Sequence, residues 1–150
     1  MLPNRKLGSV ARTLPGLPTI GASDQEGQTM IDKKKWFEMT KSGIKTEEYR
    51  EINMYWFFRL IENPYGITIN GYSYLEIRII ELLNNGIKAD NIVFKHFDTT
   101  ILTLGYPSNS DKDRIIEFEQ LSISIGYGKE EWGAEKDKLY FVIKHGKRIN

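Results

Sequence analysis

The run Arg114–Ile125 alternates apolar and polar residues over a long stretch, and the phase of the alternation changes inside it. Ile116 and Phe118 occupy even positions, whereas Leu121, Ile123 and Ile125 occupy odd ones. Successive side chains of a strand point to opposite faces, so a straight strand would bury one set and expose the other. One extra residue near Glu119-Gln120 keeps both sets inward, which predicts a bulge or sharp bend there. A strand bent in this way suits a sheet that curls into a small closed barrel.

Neighbouring segments supply the rest of such a fold. Thr99–Leu104 reads as a strand, and so does Asn91–Lys95, where Ile92 and Phe94 alternate with Val93 and Lys95. Leu139–Lys144 completes the sheet and leaves Lys144, Lys147 and Arg148 as a basic edge. Ser73-Tyr74-Leu75-Glu76 is a capping-box pattern, in which serine and glutamate satisfy each other's free backbone donors. Leu75, Ile79, Leu82 and Leu83 then form one apolar stripe, and Asn85-Gly86 supplies the stop. Ile52–Glu62 is apolar enough to read as a short buried helix ended by Asn63-Pro64, with Tyr55, Trp56 and Arg59 its members able to meet a base or sugar. Tyr65–Tyr72 reads as a loop or a small hairpin around Asn70-Gly71. The expected class is α+β: a small mixed β-barrel flanked by helices, with an extra helix inserted around 73–84.

The chain has 150 residues, no cysteine, two histidines and a net charge of +1. That length suits one domain with a sizeable core. Lack of cysteine removes disulfides and thiolate metal sites, and His96 and His145 show no metal-ligand spacing, so neither metal nor cofactor is expected. A balanced charge argues against a generally basic nucleic-acid coat but leaves room for a local patch. No apolar run approaches the roughly 20 residues of a membrane span, and the N-terminus lacks the apolar core of a signal peptide. Residues 1–27 carry three prolines and four glycines among few large hydrophobes, and read as a flexible extension before a domain spanning 28–150. A first strand over Gln28–Ile31 and an Asp32 cap would lead into the helix that follows.

That helix, beginning Lys33-Lys34-Lys35-Trp36-Phe37, ends at Gly43, a residue that accepts the left-handed conformation at little steric cost. Its first-turn lysines, Lys35 among them, oppose the helix dipole, so either a bound phosphate or plain solvation accounts for them. Lys45–Glu51 then reads as a short strand, with Thr46, Glu48 and Arg50 on one face and Lys45, Glu47 and Tyr49 on the other. Lysine, glutamate and arginine are thereby gathered beside a helix end.

Gly43-x-Lys45-Thr46-x-Glu48-x-Arg50, after a helix opening Lys-Lys-Trp-Phe, resembles the signature of the ASCH domain, a branch of the PUA-like superfamily. Ile123–Ala134, with Glu131-Trp132-Gly133-Ala134, and the final strand Leu139–Gly146 resemble later motifs of small ASCH proteins often found in phage genomes. The resemblance covers the chain from about Thr29 onward, apart from an insertion near residues 64–90. It implies a PUA-like barrel, and together with the lack of a span or signal-peptide core it gives the expectation of a cytoplasmic protein of a bacterial or phage-infected host cell. In the ASCH branch with acetylcytidine amidohydrolase activity, the lysine matching Lys45 activates a threonine where this chain has Glu48. A carboxylate is a poor nucleophile for amide hydrolysis, so that mechanism does not carry over as it stands.

Three function classes follow. In the first, RNA or a modified nucleotide is bound: Lys45 and Arg50 engage phosphate, Glu48 accepts from a base amine or ribose hydroxyl, and Trp132 or Tyr127 stacks on a base. In the second, Lys45 and Glu48 act in an ASCH-type hydrolase, with Glu48 as general base in a ribonuclease. In the third, the chain is a phage accessory protein whose partner is a host protein. An ion cluster that fixes strand register is the purely structural reading. Oligomeric state is not legible.

Overall fold

Helix α1, over residues 33–41, stops where glycine was expected to stop it. Gly43 has φ of 84°. Its N–H bonds to Thr40 O at 3.1 Å, and the Ile44 N–H reaches Met39 O at 3.0 Å. This pair of bonds is the Schellman arrangement, which satisfies carbonyls the helix would otherwise leave open. The computed structural model describes residues 6–7, 33–108 and 110–150. The expected strand over 28–31 and its Asp32 cap lie outside the described residues.

The elements that follow are β2 (Glu47–Glu51), α2 (Met54–Leu60), β3 (Thr68–Ile69), β4 (Tyr72–Ser73), α3 (Glu76–Asn84), β5 (Thr99–Thr103), β6 (Ile115–Tyr127) and β7 (Leu139–Arg148), with β1 (Lys6–Leu7) ahead of them all. One sheet has the order β1-β5-β6-β7-β2, and β3 and β4 form a hairpin of their own. The chain is therefore an α+β protein. Within the expected flexible extension, β1 pairs in parallel with Thr99 and Thr100 of β5, so at those two residues the extension is strand.

Two compact units divide the chain, and β6 and β7 run through both. The first comprises Met1–Thr46, Phe97–Leu121 and His145–Asn150. Its core gathers Phe37 of α1 with Leu102, Ile116 and Phe118, and the His145 ring stacks on Phe118 at 4.7 Å. The second comprises Glu47–His96 and Ser122–Lys144. There Tyr140, Phe141, Val142 and Ile143 are all buried, so β7 is covered on both faces. Tyr140 and Val142 pack with Ala134 and Tyr49, while Phe94 meets Phe141 edge to face at 6.1 Å.

Several local expectations are corrected. Helix α3 begins at Glu76 rather than Ser73, and its N-cap residue, Leu75, makes no side-chain cap bond. Ser73 instead belongs to β4, paired with Thr68, so the capping box does not form. Leu75 is 73% exposed, and the buried stripe is Ile79, Ile80 and Leu83. Asn91–Lys95 is not a strand: among the described residues it forms one isolated bridge, Phe94 to Ile61. The parity change in β6 does occur, with Ile116 and Phe118 buried and Ile123 and Ile125 half-buried, but Leu121 stays on the surface.

The β3–β4 hairpin turns at Asn70 and Gly71, both with positive φ, as a right-twisted two-residue hairpin requires. Asp90 ties it down, accepting from Thr68 Oγ1 at 3.0 Å, Gly71 N at 2.9 Å and Asn70 N at 3.2 Å. These donors, the Gly71 amide foremost, hold the Asp90 carboxyl below its ordinary pKa. A folded-state pKa that is depressed gives stability present above the unfolded pKa and lost as pH falls through the folded one. Protection of the Gly71 amide, the slowing of its exchange relative to an unstructured peptide at the same pH, is therefore expected to be high at neutral pH and to fall below about pH 4. In Asp90→Asn that acid step should vanish; its survival in the variant would assign it to another group.

Candidate functional site

Of the expected trio, Lys45 falls in the first unit and Glu48 and Arg50 in the second. Strand β2 starts at Glu47, so Lys45 precedes it. The Lys45 N–H bonds back to Met39 O at 3.0 Å, which makes the residue part of the α1 cap, and its side chain is buried. Lys45 belongs to the first unit, as does the exposed Lys35 of α1.

Glu48 and Arg50 belong to the second unit and do come together. Alternation along β2 puts both on one face, and Arg50 Nη2 lies 3.6 Å from Glu48 Oε2. Cross-strand register sets them beside Ile143 and Phe141, both fully buried. That apolar setting pulls the Arg50 guanidinium down to about 10, with Glu48 opposing the shift. It therefore remains a cation at neutral pH. Arg50 Nη1 donates to Tyr49 O at 2.9 Å, while its Nε is buried with no hydrogen-bond partner among the described residues. On the opposite face of β2, Tyr49 donates to Glu47 Oε2 at 2.8 Å and accepts from Lys129 N at 3.0 Å. Burial, more than the Glu47 bond, raises its phenol pKa.

Helix α2 completes this region. Asn53 caps it by accepting from Trp56 N at 3.0 Å, which orients Trp56 at the first turn. Arg50 Cζ lies 5.2 Å from the Trp56 ring centre and Arg59 Cζ lies 5.9 Å from it. Arg59 is also 5.8 Å from the ring of Tyr55, which meets Trp56 edge to face at 4.9 Å. Two guanidinium groups thus share one indole, with the Glu48 carboxylate beside one of them. The sequence signals were present, an arginine one helical turn past Trp56 and Arg50 on alternate strand positions. The fold adds that strand and helix converge on the same ring.

Trp132 does not serve as an exposed stacking platform. It lies in the 3-10 turn Glu130–Trp132 and is buried. Lys129 Nζ sits 4.2 Å from its ring centre, so a base would have to displace that cation. Tyr127 is exposed and borders a cavity of about 600 Å³. Among the described residues, no group of three or more His, Asp or Glu side chains is arranged to hold a metal ion, and no helix is long and apolar enough to cross a membrane.

The fold and this site define an α+β protein carrying an arginine–tryptophan cluster on a strand and the helix after it. Compared with protein-family models, with curated proteins and with solved structures, the chain has no match.

Proposed function

We propose that this chain is an ASCH-type, PUA-like binding module that holds RNA or a modified nucleotide without obligatory turnover. The supporting observation is the placement of Arg50 and Arg59 around Trp56, each within 6 Å of the ring centre. Arginine forks suit phosphate oxygens, and an aromatic beside them suits a base. In this reading Arg59 engages phosphate, the half-exposed Tyr55 stacks on a base, and Glu48 holds Arg50 in place. Lys45 enters through its place in the signature, three residues before Glu48. The barrel belongs to the same reading, supported by the thirteen-residue β6 and its change of inward parity.

Binding is preferred to hydrolysis because the Glu48 carboxylate, with 11% of its side chain exposed, is already engaged by Arg50. A general base must reach its substrate proton or a water. The test is fluorescence anisotropy with labelled RNA, single-stranded DNA and modified nucleosides, scored for product as well as binding. Arg59 is exposed, so Arg59→Ala leaves folding intact, and with Tyr55→Ala it should weaken RNA binding by about tenfold or more. Binding that ignores both substitutions would refute this site, and product formation would replace the binder with an enzyme.

A further inference from the structure

A second site lies in the same unit, on the edge of β6. Ile123, Ser124, Ile125, Gly126 and Tyr127 all border the cavity of about 600 Å³. Alternate residues of a strand face opposite ways. A consecutive run of both parities means that the cavity reaches the backbone of the strand and not one face alone; Leu139, at the start of β7, borders it too. The ladder agrees. Strand β5 pairs with β6 only from Ile115 to Glu119, with one further bond from Gln120 N to Asp98 O at 3.2 Å. Past that point, among the described residues, β6 has no backbone partner on the β5 side.

Open strand edges are normally protected by charge, proline or a covering element. Leu121–Gly128 contains neither a charged residue nor proline. The opposite wall of the cavity is apolar, from Leu83, Ile87, Ile92 and Phe94, with Lys88 its sole charged member. Lys88 makes no hydrogen bond or ion pair among the described residues. Half-buried Gly126 has no side chain to crowd a backbone approaching that edge.

We propose that this edge takes an extended peptide of a partner protein as an added strand. The peptide carries apolar side chains at alternate positions, set toward the Ile87–Phe94 wall, and an acidic residue that meets Lys88. The five bordering residues span about 13 Å at ~3.3 Å each, room for four or five peptide residues. A hollow walled on both sides admits a single segment more readily than the sheet edge of a second copy. Main-chain bonds would supply affinity and the alternating pockets selectivity. This inference does not depend on the nucleotide reading.

The probe is a blocked, fluorescein-labelled hexapeptide alternating valine and threonine, with glutamate at the first or the last position in separate peptides. Polarisation should show saturable one-to-one binding by at least one of the two. N-methylation of alternate peptide nitrogens removes donors while keeping the side chains, and should weaken binding about tenfold or more. Lys88→Gln, at an exposed position, and glutamate-to-glutamine in the peptide should each weaken it about threefold, and no further when combined. Equal affinity for the N-methylated peptide would overturn the proposal. So would binding no tighter than that of a glycine–serine peptide, or a signal that follows protein self-association and so puts a second copy on the edge.

Discussion

Phe141→Ala is expected to cost about 3–5 kcal/mol of folding stability, the range for removing a fully buried aromatic ring. Phe141 has no exposed surface. It sits opposite Arg50 in the β2–β7 ladder and receives the edge of Phe94 at 6.1 Å. The strand beside it is held by the β2–β7 ladder, so the void closes poorly. For a chain of 150 residues, a loss of this size lowers the melting temperature by about 10 °C. Tyr65→Ala, at a residue 80% exposed, serves as the control and should shift stability by less than about 0.5 kcal/mol. Urea unfolding of the two variants decides the matter, since a loss below about 1 kcal/mol at Phe141 would deny this residue its place in the core.

Glu48→Ala should be the costlier half of the ion pair, at about 3 kcal/mol, because it leaves the Arg50 guanidinium buried without its counter-charge. The 3.6 Å separation is longer than a strong charge-assisted hydrogen bond, which sets the expectation at the low end of the usual range. Arg50→Met keeps the aliphatic bulk beside Trp56 and removes the charge. In the double variant Glu48→Ala/Arg50→Met, most of the loss should return, since no buried charge is left. If both singles and the double fall within about 0.5 kcal/mol of the parent, Arg50 reaches solvent and the desolvation argument fails. Because RNA contact is assigned to Arg59 and Tyr55, the stability cycle separates structural loss from lost binding.

Gly43 ended α1 and Asn70-Gly71 made its hairpin because each signal rests on the residue's own backbone freedom, whereas the Ser73–Glu76 capping box gave way to strand pairing and the Asn53 cap of α2 was not foreseen. The alternation that pairs Glu48 with Arg50 and Glu47 with Tyr49 is likewise a property of any strand. Asn91–Lys95 shows the opposite case. Its pattern suits a strand, yet Asn91 uses its side chain on Thr68 N and Gly66 O, and Val93 N goes to the Asn63 side chain. A strand exists only where a neighbour supplies the other half of its ladder, which no pattern within one segment reveals.

The residues by themselves thus determined an α+β chain, its turns at Gly43 and Asn70-Gly71, and which side chains of β2 share a face. Tertiary structure alone decided that Lys45 caps α1 instead of joining β2, that Trp132 lies under Lys129 instead of in solvent, and that Trp56 gathers two arginines. It also decided that β6 outruns β5 and leaves an edge against a cavity. Periodicity is set by bonds between near neighbours along the chain, whereas burial and convergence depend on which distant segments arrive at the same place.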